Sequence, residues 1–327
     1  MALTPNDTKH ALQIQAGIVG RKAGHKYEVA LAKKINQIKS VVQSVPTPNR
    51  LIYGNVEIDI VRKALTVVGW KKCDKVEAIA LGALATADGG KQWLQVHGVV
   101  VKACKSDVLI TLYEGKAIKT VGVSVKQCNK ENPTNAQLYC STATAFCDLL
   151  ESNGIKLSNN ARNAMRQFCG DAGFRPIDDK SVMKNRLTDS SRFFWEEINQ
   201  KGRVELENIF STHQDKITRL LLQKAYANDP FIPELLLHKT KKIKSGPQEF
   251  ALFSIAEIIQ FSRKYSGFTK KLYADRKKSR SLEERKLTKG IFHEAPRFGI
   301  IQFQRLGNKQ NATQLQFNLE AGYFYNI

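Results

Sequence analysis

Two short runs between Lys105 and Gln127 constrain this 327-residue chain more than any other part of its sequence. The first, Asp107–Glu114, opens with a carboxylate and continues as an apolar run, and the second, Val121–Lys126, alternates apolar and polar residues. Alternation with a period of two is typical of a half-buried strand. Because Gly115 lies between the two runs, they are predicted to form a β-hairpin with a tight turn.

The predicted hairpin gathers a carboxylate, a hydroxyl and an amine. Ser124 and Lys126 are two residues apart, so their side chains share one face of the strand, while Val123 and Val125 point into the protein. Asp107 begins the neighbouring strand and can reach the same polar face. Such a group, held on rigid strands, can bind a hard cation and position a water molecule.

Helical periodicity is found on both sides of this hairpin in the sequence. Residues 22–43 carry apolar side chains at helical spacing, with Glu28 in the first or second turn. Residues 75–87 and 136–151 also predict helices, and residues 93–103 predict a strand. Together these elements predict an α/β core, of the α+β kind, in which a mixed β-sheet is flanked by helices.

The rest of the chain is predicted to form two further regions. Helical patterns predominate over 158–169, 204–226, 232–238 and 249–265. Residues 298–306 and 312–319 alternate like strands around a polar tip. The expected domains are an α/β core over 1–154, a mainly helical, basic region over 155–290, and a C-terminal β-hairpin over 291–327 that packs on the core.

The charge of the chain indicates its class of partner. Lysine and arginine number 51 against 30 acidic residues, which gives a formal net charge of +21. Residues 239–290 contain 15 basic and 5 acidic residues, a net of +10, and residues 9–39 contain seven basic residues and one acidic residue, a net of +6. A surplus of this size suits a polyanion, nucleic acid before a membrane surface.

Several common kinds of site do not occur in the sequence. It contains no phosphate-binding P-loop, no Gly-x-Gly-x-x-Gly fingerprint and no Gly-x-Ser-x-Gly nucleophile elbow. The N-terminal residues lack a signal-peptide pattern, and no run of about 18 apolar residues occurs. The six cysteines lack Cys-x-x-Cys spacing. These observations predict a cytoplasmic protein with reduced thiols and no membrane partner.

The motif on the predicted hairpin resembles the active site of the PD-(D/E)xK nuclease superfamily, in particular that of type II restriction endonucleases. In that motif an Asp at a strand start is followed, after a turn, by an acidic residue-x-Lys on the next strand. The corresponding residues here are Asp107 and Ser124-Val125-Lys126. The helix that contains Glu28 is similar to the N-terminal helix of that core, where a Glu often supports metal binding. The resemblance covers about the first 150 residues.

This resemblance implies a restriction-endonuclease-like core and a Mg²⁺-dependent, sequence-specific endonuclease of double-stranded DNA. Catalysis is expected from Asp107, Ser124, Lys126 and Glu28, with Mg²⁺ held by Asp107, Glu28 and the backbone carbonyl of Val125. Ser124 stands where the family usually has its second acidic residue, so Glu28 is expected to supply the missing charge. A homodimer is left open, and a cognate DNA methyltransferase is expected as a genetic rather than a physical partner.

DNA contacts are expected from two sources. Lysine and arginine of the helical region would contact phosphates without reading bases. Amide and basic side chains at a hairpin tip can form paired hydrogen bonds with purine edges in the major groove. The candidate DNA-binding residues are Gln127, Lys130, Arg305, Asn308, Lys309, Gln310, Asn311, Gln314 and Gln316.

Two other functions remain open from the sequence. One is a repair or junction-resolving nuclease with the same chemistry, directed by DNA structure instead of sequence. The other is a non-catalytic DNA-binding protein whose nuclease site has decayed, a hypothesis motivated by the neutral Ser124. The second predicts metal-independent binding with a steep salt dependence and no cleavage products.

Overall fold

A computed structural model describes residues 23–51, 56–81, 94–101, 104–127, 136–183, 193–224, 229–239, 249–265, 267–273, 291–298, 301–305 and 314–319. The described chain divides into two compact units. The first comprises the described residues up to Ala136 and those from Asn228 to Ala256. The second comprises those from Gln137 to Ala227 and from Glu257 to Tyr323. No helix in these described ranges is long and apolar enough to cross a membrane.

The first unit is built around a six-stranded mixed sheet. Its helices are α1 (residues 23–36) and α2 (Val56–Val68). Its strands are β1 (Val42–Gln43), β2 (Arg50–Leu51), β3 (Lys72–Cys73), β4 (Lys75–Ala80), β5 (Leu94–Val96), β6 (Val99–Val101), β7 (Val108–Glu114), β8 (Ala117–Gln127), β10 (Pro233–Lys239) and β11 (Phe250–Ser254). The sheet order is β2-β11-β10-β8-β7-β4, and β1 with β3 and β5 with β6 form two small separate pairs.

Strand directions make this sheet mixed. Strand β7 runs antiparallel to both of its neighbours, β4 and β8. Strand β10 lies parallel to β8, and β11 lies antiparallel to β10. The expected α/β architecture, a mixed sheet with flanking helices, is therefore confirmed.

The predicted hairpin is formed by β7 and β8. Their register runs from Val108 opposite Val123 to Glu114 opposite Ala117, which leaves a two-residue turn. Gly115 in that turn has φ +56°, in the left-handed region that glycine adopts without strain. The long ladder fixes the register of β8, and therefore the face on which each of its side chains lies.

The core of the first unit includes one face of β8. Val121, Val123 and Val125 are buried in it, as the alternation predicted. Leu31 and Ile35, four residues apart on one face of α1, belong to the same cluster. Burial of this apolar face against the sheet explains why the segment is helical.

Helix α1 ends earlier than the predicted range of 22–43. At residue 36, the Asn36 side chain donates to the Ala78 carbonyl at 2.9 Å and accepts from the Ala78 amide at 2.7 Å. Val42 lies in β1 instead, paired with Cys73. The predicted helix was wrong after residue 36 because the β-branched residues there form an extended pair.

Two predicted helices are strands of this sheet. The helix predicted over 75–87 is wrong for 75–80, which form β4 with alternate residues buried, and 82–87 lie outside the described residues. The helix predicted over 232–238 is also wrong, because β10 occupies that segment between β8 and β11. A short run such as Leu235–Leu237 has no periodicity that separates a buried strand from a helix.

Other predicted segments change structure along their length. Residues 136–142 form a strand, and the following helix begins after Thr142, whose hydroxyl caps it by accepting from Ala145 N. Likewise 249–265 contains β11 followed by a helix. The strand predicted over 93–103 is the β5–β6 pair, turned at His97 and Gly98, both with positive φ.

The second unit combines helices with a five-stranded sheet. Its elements are β9 (Ala136–Thr142), α3 (Ala143–Ser152), α4 (Asn159–Cys169), α5 (Lys180–Met183), α6 (Gln200–Thr212), α7 (Gln214–Gln223), α8 (Ile255–Ser262, which begins at the unit boundary), β12 (Phe268–Tyr273), β13 (Ile291–Phe298), β14 (Ile301–Arg305) and β15 (Gln314–Leu319). The sheet order is β12-β13-β14-β15-β9. The helix predicted over 204–226 is divided between α6 and α7, whereas that over 158–169 is confirmed as α4, capped by Ser158.

The two sheets do not follow the predicted order of domains along the chain. Strands β10 and β11 come from the region expected to be mainly helical, yet they complete the sheet of the first unit. Strands β14 and β15 pair antiparallel, which confirms a C-terminal hairpin. This hairpin shares its sheet with β9, β12 and β13, and its tip lies outside the described residues. Phe194 and Trp195 are buried in the second unit.

Candidate active site

The Asp107 carboxylate is the centre of the polar cluster on the β7–β8 hairpin. Its Oδ2 atom accepts from the Val125 amide at 2.6 Å, from Lys126 Nζ at 3.1 Å and from Ser124 Oγ at 3.3 Å. The Asp107 amide in turn donates to the Val123 carbonyl at 2.9 Å. The register of the hairpin therefore brings Asp107, Ser124 and Lys126 together, as the spacing predicted.

Lys126 is held from two directions. Its Nζ atom donates to Asp107 Oδ2 and, at 3.1 Å, to the carbonyl oxygen of Val125. The side chains of Lys126 and Asp107 remain 21% and 23% exposed, so a substrate can reach both. Ser124, by contrast, is fully buried. Its hydroxyl can therefore orient Asp107 but has no access to solvent.

Glu28 on α1 belongs to the same electrostatic environment. It is 5% exposed, and its Oε2 atom has no hydrogen-bond partner among the residues that the structure describes. Burial, together with a smaller effect of the Asp107 carboxylate, raises the pKa of Glu28 to about 7, while Lys126 acts in the opposite direction. A buried carboxylate without a donor is costly. A carboxylate in the first turns of a helix is often explained by its interaction with the helix dipole, but that interaction does not account for the burial of Glu28.

His238 is a neighbour of the site that the sequence did not indicate. It lies opposite Lys126 in the parallel pairing of β8 and β10, and it is fully buried. Burial, with a smaller effect of Lys126, lowers the pKa of His238 to about 4. The imidazole is therefore neutral near pH 7 and places no second positive charge beside Lys126. Because residues 232–238 were predicted to be helical, the pairing of His238 with Lys126 was not predicted.

Asp229 and Phe231 hold the segment that precedes Asp107. The Lys105 amide donates to Asp229 Oδ2 at 2.6 Å, and Ser106 Oγ donates to the Phe231 carbonyl at 2.6 Å. Cys104 Sγ donates to the same carbonyl at 3.0 Å. These contacts join segments more than 120 residues apart, so no local sequence signal could have identified them.

Gly122 allows this close contact. A Cβ atom at that position would lie 2.2 Å from Ser106 Oγ and 2.5 Å from the Ile232 carbonyl oxygen. Only glycine leaves room for the chain preceding β7 to approach both β8 and the start of β10. The position of Asp107 therefore depends on a residue with no side chain.

The oxygen atoms around Asp107 match the ligands that Mg²⁺ prefers. No described residue donates a hydrogen bond to Asp107 Oδ1 or Glu28 Oε2, and the carbonyl of Val125 accepts from the same Lys126 Nζ that donates to Asp107 Oδ2. Within the described part of the chain, no group of three or more His, Cys, Asp or Glu residues could hold a metal ion. Mg²⁺ commonly uses one or two protein carboxylates together with waters and substrate phosphates. Asp107 and Glu28 are compatible with that pattern.

The candidate DNA-binding residues are less completely described. Gln127 is exposed at the end of β8, and its Nε2 atom, like Glu28 Oε1, lies within 4 Å of the position of a Cβ atom on Gly24. Gln314, Gln316 and Arg305 lie in strands β14 and β15, where the backbone pairing alone is described. The remaining candidates, Lys130, Asn308, Lys309, Gln310 and Asn311, lie outside the described residues. Base reading by this set remains a prediction.

Comparison with known proteins does not assign the chain to a family. No family model matches it, and no curated protein matches it. A function is therefore argued from the cluster around Asp107 and from the sheet that carries it.

Proposed function

We propose that this chain is a Mg²⁺-dependent endonuclease that hydrolyses phosphodiester bonds of double-stranded DNA at a short recognition site, as type II restriction enzymes do. The observation that carries the proposal is the contact between Asp107 Oδ2 and Lys126 Nζ at 3.1 Å, beside the buried carboxylate of Glu28. The net charge of +21 supports a polyanionic substrate. The mixed sheet with flanking helices agrees with the restriction-endonuclease-like core that the motif implies.

The metal and the protein have separate tasks in this proposal. Mg²⁺ held by Asp107, Glu28 and the Val125 carbonyl would supply a Lewis acid that polarises the scissile phosphate and acidifies a bound water. The ammonium of Lys126 faces the developing negative charge and holds the attacking water in position. Asp107 orients this ammonium through the 3.1 Å contact.

Ser124 has a positioning role in place of the missing carboxylate. Its buried hydroxyl donates to the same Asp107 oxygen that accepts from Val125 N and Lys126 Nζ. Three donors on Oδ2 fix the rotation of the carboxyl group and leave Oδ1 for a cation. The acidic charge that Ser124 lacks is supplied by Glu28, which lies on a different element.

The direct test is cleavage of plasmid DNA by the purified protein. Discrete fragments with Mg²⁺ and none with EDTA support the proposal, and mapped fragment ends then give the site. Cleavage of DNA junctions in preference to linear duplex would indicate the structure-directed alternative. Failure to cut any plasmid with Mg²⁺ or Mn²⁺ contradicts the proposal.

One observation favours a second candidate function. The neutral Ser124 leaves Glu28 and Asp107 as the carboxylates of the site, and Glu28 keeps its proton up to a pH of about 7. A protein that binds DNA without cutting it would not need an acidic residue at the position of Ser124. It would bind DNA independently of metal, with a steep salt dependence and no products.

A further inference from the structure

A second positively charged cluster lies next to the candidate active site. Lys239 ends β10 and is paired in register with Gln127, the residue that follows Lys126 on β8. Because these two strands are parallel, their ends lie side by side at one edge of the sheet. The Lys239 ammonium is 4.2 Å from the centroid of the Tyr27 ring, and Tyr27 immediately precedes Glu28 on α1.

Lys239 has no ion-pair partner in the part of the chain that the structure describes. Its side chain is half-buried, and no carboxylate is among the groups that shift its pKa. Burial lowers the pKa of Lys239, and the positive charge of Lys34 lowers it further. Lys34 itself is 60% exposed and forms only a loose 3.7 Å pair with Glu57. The half-buried Lys239 ammonium therefore lies near the positive charge of a second, exposed lysine, an arrangement that an anion would stabilise.

We propose that Lys239, held on the Tyr27 ring and assisted by Lys34, binds a backbone phosphate of DNA adjacent to the scissile phosphate. This inference rests on the proposed function, because it takes the Asp107–Lys126 site as the position of the scissile bond. A lysine ammonium binds phosphate as a point charge, and such contacts position the duplex without reading bases. Lys239 therefore sets the register of the DNA backbone against the catalytic lysine.

The competing explanation is that Lys239 only packs on Tyr27. A lysine stem commonly covers an aromatic ring while its ammonium is solvated. In that case removal of the charge changes the stability of the fold but not the salt dependence of DNA binding. The two explanations therefore differ in a measurable quantity.

The experiment measures the affinity for a short mixed-sequence DNA duplex, without divalent metal, over a series of salt concentrations. Lys239→Gln is expected to reduce the slope of log K against log salt concentration by about one unit, because one phosphate contact is lost. Lys239→Met, which keeps the apolar stem on the Tyr27 ring, is expected to do the same, and Lys239→Arg to retain the slope.

Lys119→Gln is the matched control. Lys119 is near the other end of β8, 5.2 Å from the centroid of the Trp70 ring, and donates to the Val68 carbonyl at 2.8 Å. The control therefore removes the same charge and the same kind of ring contact far from Lys126. Its salt slope is expected to equal that of the wild type.

Unchanged slopes in both neutral Lys239 variants overturn the inference, and so does an equal loss in Lys119→Gln. Thermal unfolding of each variant shows whether the fold is retained. If the wild type cuts DNA but the neutral Lys239 variants keep the wild-type salt slope, the phosphate site is contradicted and the proposed nuclease function is not. A wild type whose binding depends on Lys239 but which never cuts supports the phosphate site and contradicts the nuclease.

Discussion

Lys126 Nζ lies 3.1 Å from Asp107 Oδ2, although the two residues are 19 positions apart in the chain. Both side chains are about one-fifth exposed, so the pair is shielded but reachable. In the proposed function, this position lets the pair present the Lys126 ammonium to a phosphate of the substrate.

The first prediction concerns Lys126→Ala. It removes the ammonium, while Asp107 still accepts from Val125 N and Ser124 Oγ, so the carboxylate stays in place. Cleavage should fall by about 10²–10³-fold, the usual effect of removing one preorganised donor that faces the developing charge. DNA binding should be largely retained. Lys116→Ala, in the exposed turn of the same hairpin, is the control for loss of one positive charge. Retained cutting by Lys126→Ala contradicts the site assignment.

The second prediction concerns Glu28→Gln. The substitution keeps the shape of the side chain but removes one of the two carboxylates proposed to hold Mg²⁺. The Mg²⁺ concentration required for half-maximal cleavage should rise by about 10–100-fold, the loss of metal affinity that is typical when a residue supporting a metal site is replaced. Calorimetric Mg²⁺ titration without DNA should show the same weakening. An unchanged Mg²⁺ titration would contradict metal binding by Glu28 and leave it a structural role only.

The third prediction is a pH dependence of stability that Glu28 causes. Its pKa is about 7 in the folded protein against 4.5 ordinarily, so the folded state keeps a proton that the unfolded chain loses between these values. Stability conferred by the protonated group is therefore lost as the pH rises through this window, by up to about 3 kcal/mol. Relative to wild type, Glu28→Gln should gain that amount between pH 4.5 and pH 7 in metal-free buffer.

His238 acts in the opposite direction and must be separated from Glu28. Its pKa is about 4 in the folded protein against 6.5 ordinarily, so stability is lost as the pH falls through that range. The two effects overlap, and the wild-type curve alone can therefore be flat. Denaturant unfolding of wild type and Glu28→Gln at matched pH values isolates the Glu28 contribution. A difference that is constant with pH contradicts the prediction.

The fourth prediction tests the close contact at Gly122. Gly122→Ala would place a methyl group 2.5 Å from the Ile232 carbonyl oxygen, so the backbone must shift. We expect a loss of about 1–3 kcal/mol in the free energy of unfolding, typical of overpacking. Gly24→Ala is the control, because its nearest atoms would be 3.7 and 3.9 Å away. Equal stability of the two variants would contradict this prediction.

The sequence was sufficient to predict the residues of the candidate site that lie on one hairpin. The alternation around Ser124 and Lys126 has a period of two, and the turn at Gly115 fixes the register that brings Asp107 to them. Glu28 was found on an amphipathic helix, although its burial and its coupling to Asp107 were not predictable from periodicity.

The non-local part of the site was not predictable. Strand β10 brings His238 and Lys239 beside β8, but its apolar run gives the same pattern in a buried strand as in a buried helix. Asp229 contacts Lys105 across 124 positions, and only the folded chain shows which distant segment completes the sheet. The extent of the helices was likewise decided by strand pairing that no local pattern contains.

The most direct test of the central claim compares plasmid cleavage by the wild type and by Asp107→Asn in Mg²⁺. Asp107→Asn keeps the size of the side chain but removes its charge. The account predicts discrete DNA fragments from the wild type and none from the variant, with both proteins folded and able to bind DNA. Equal cutting by the two proteins, or no cutting by the wild type, would contradict it.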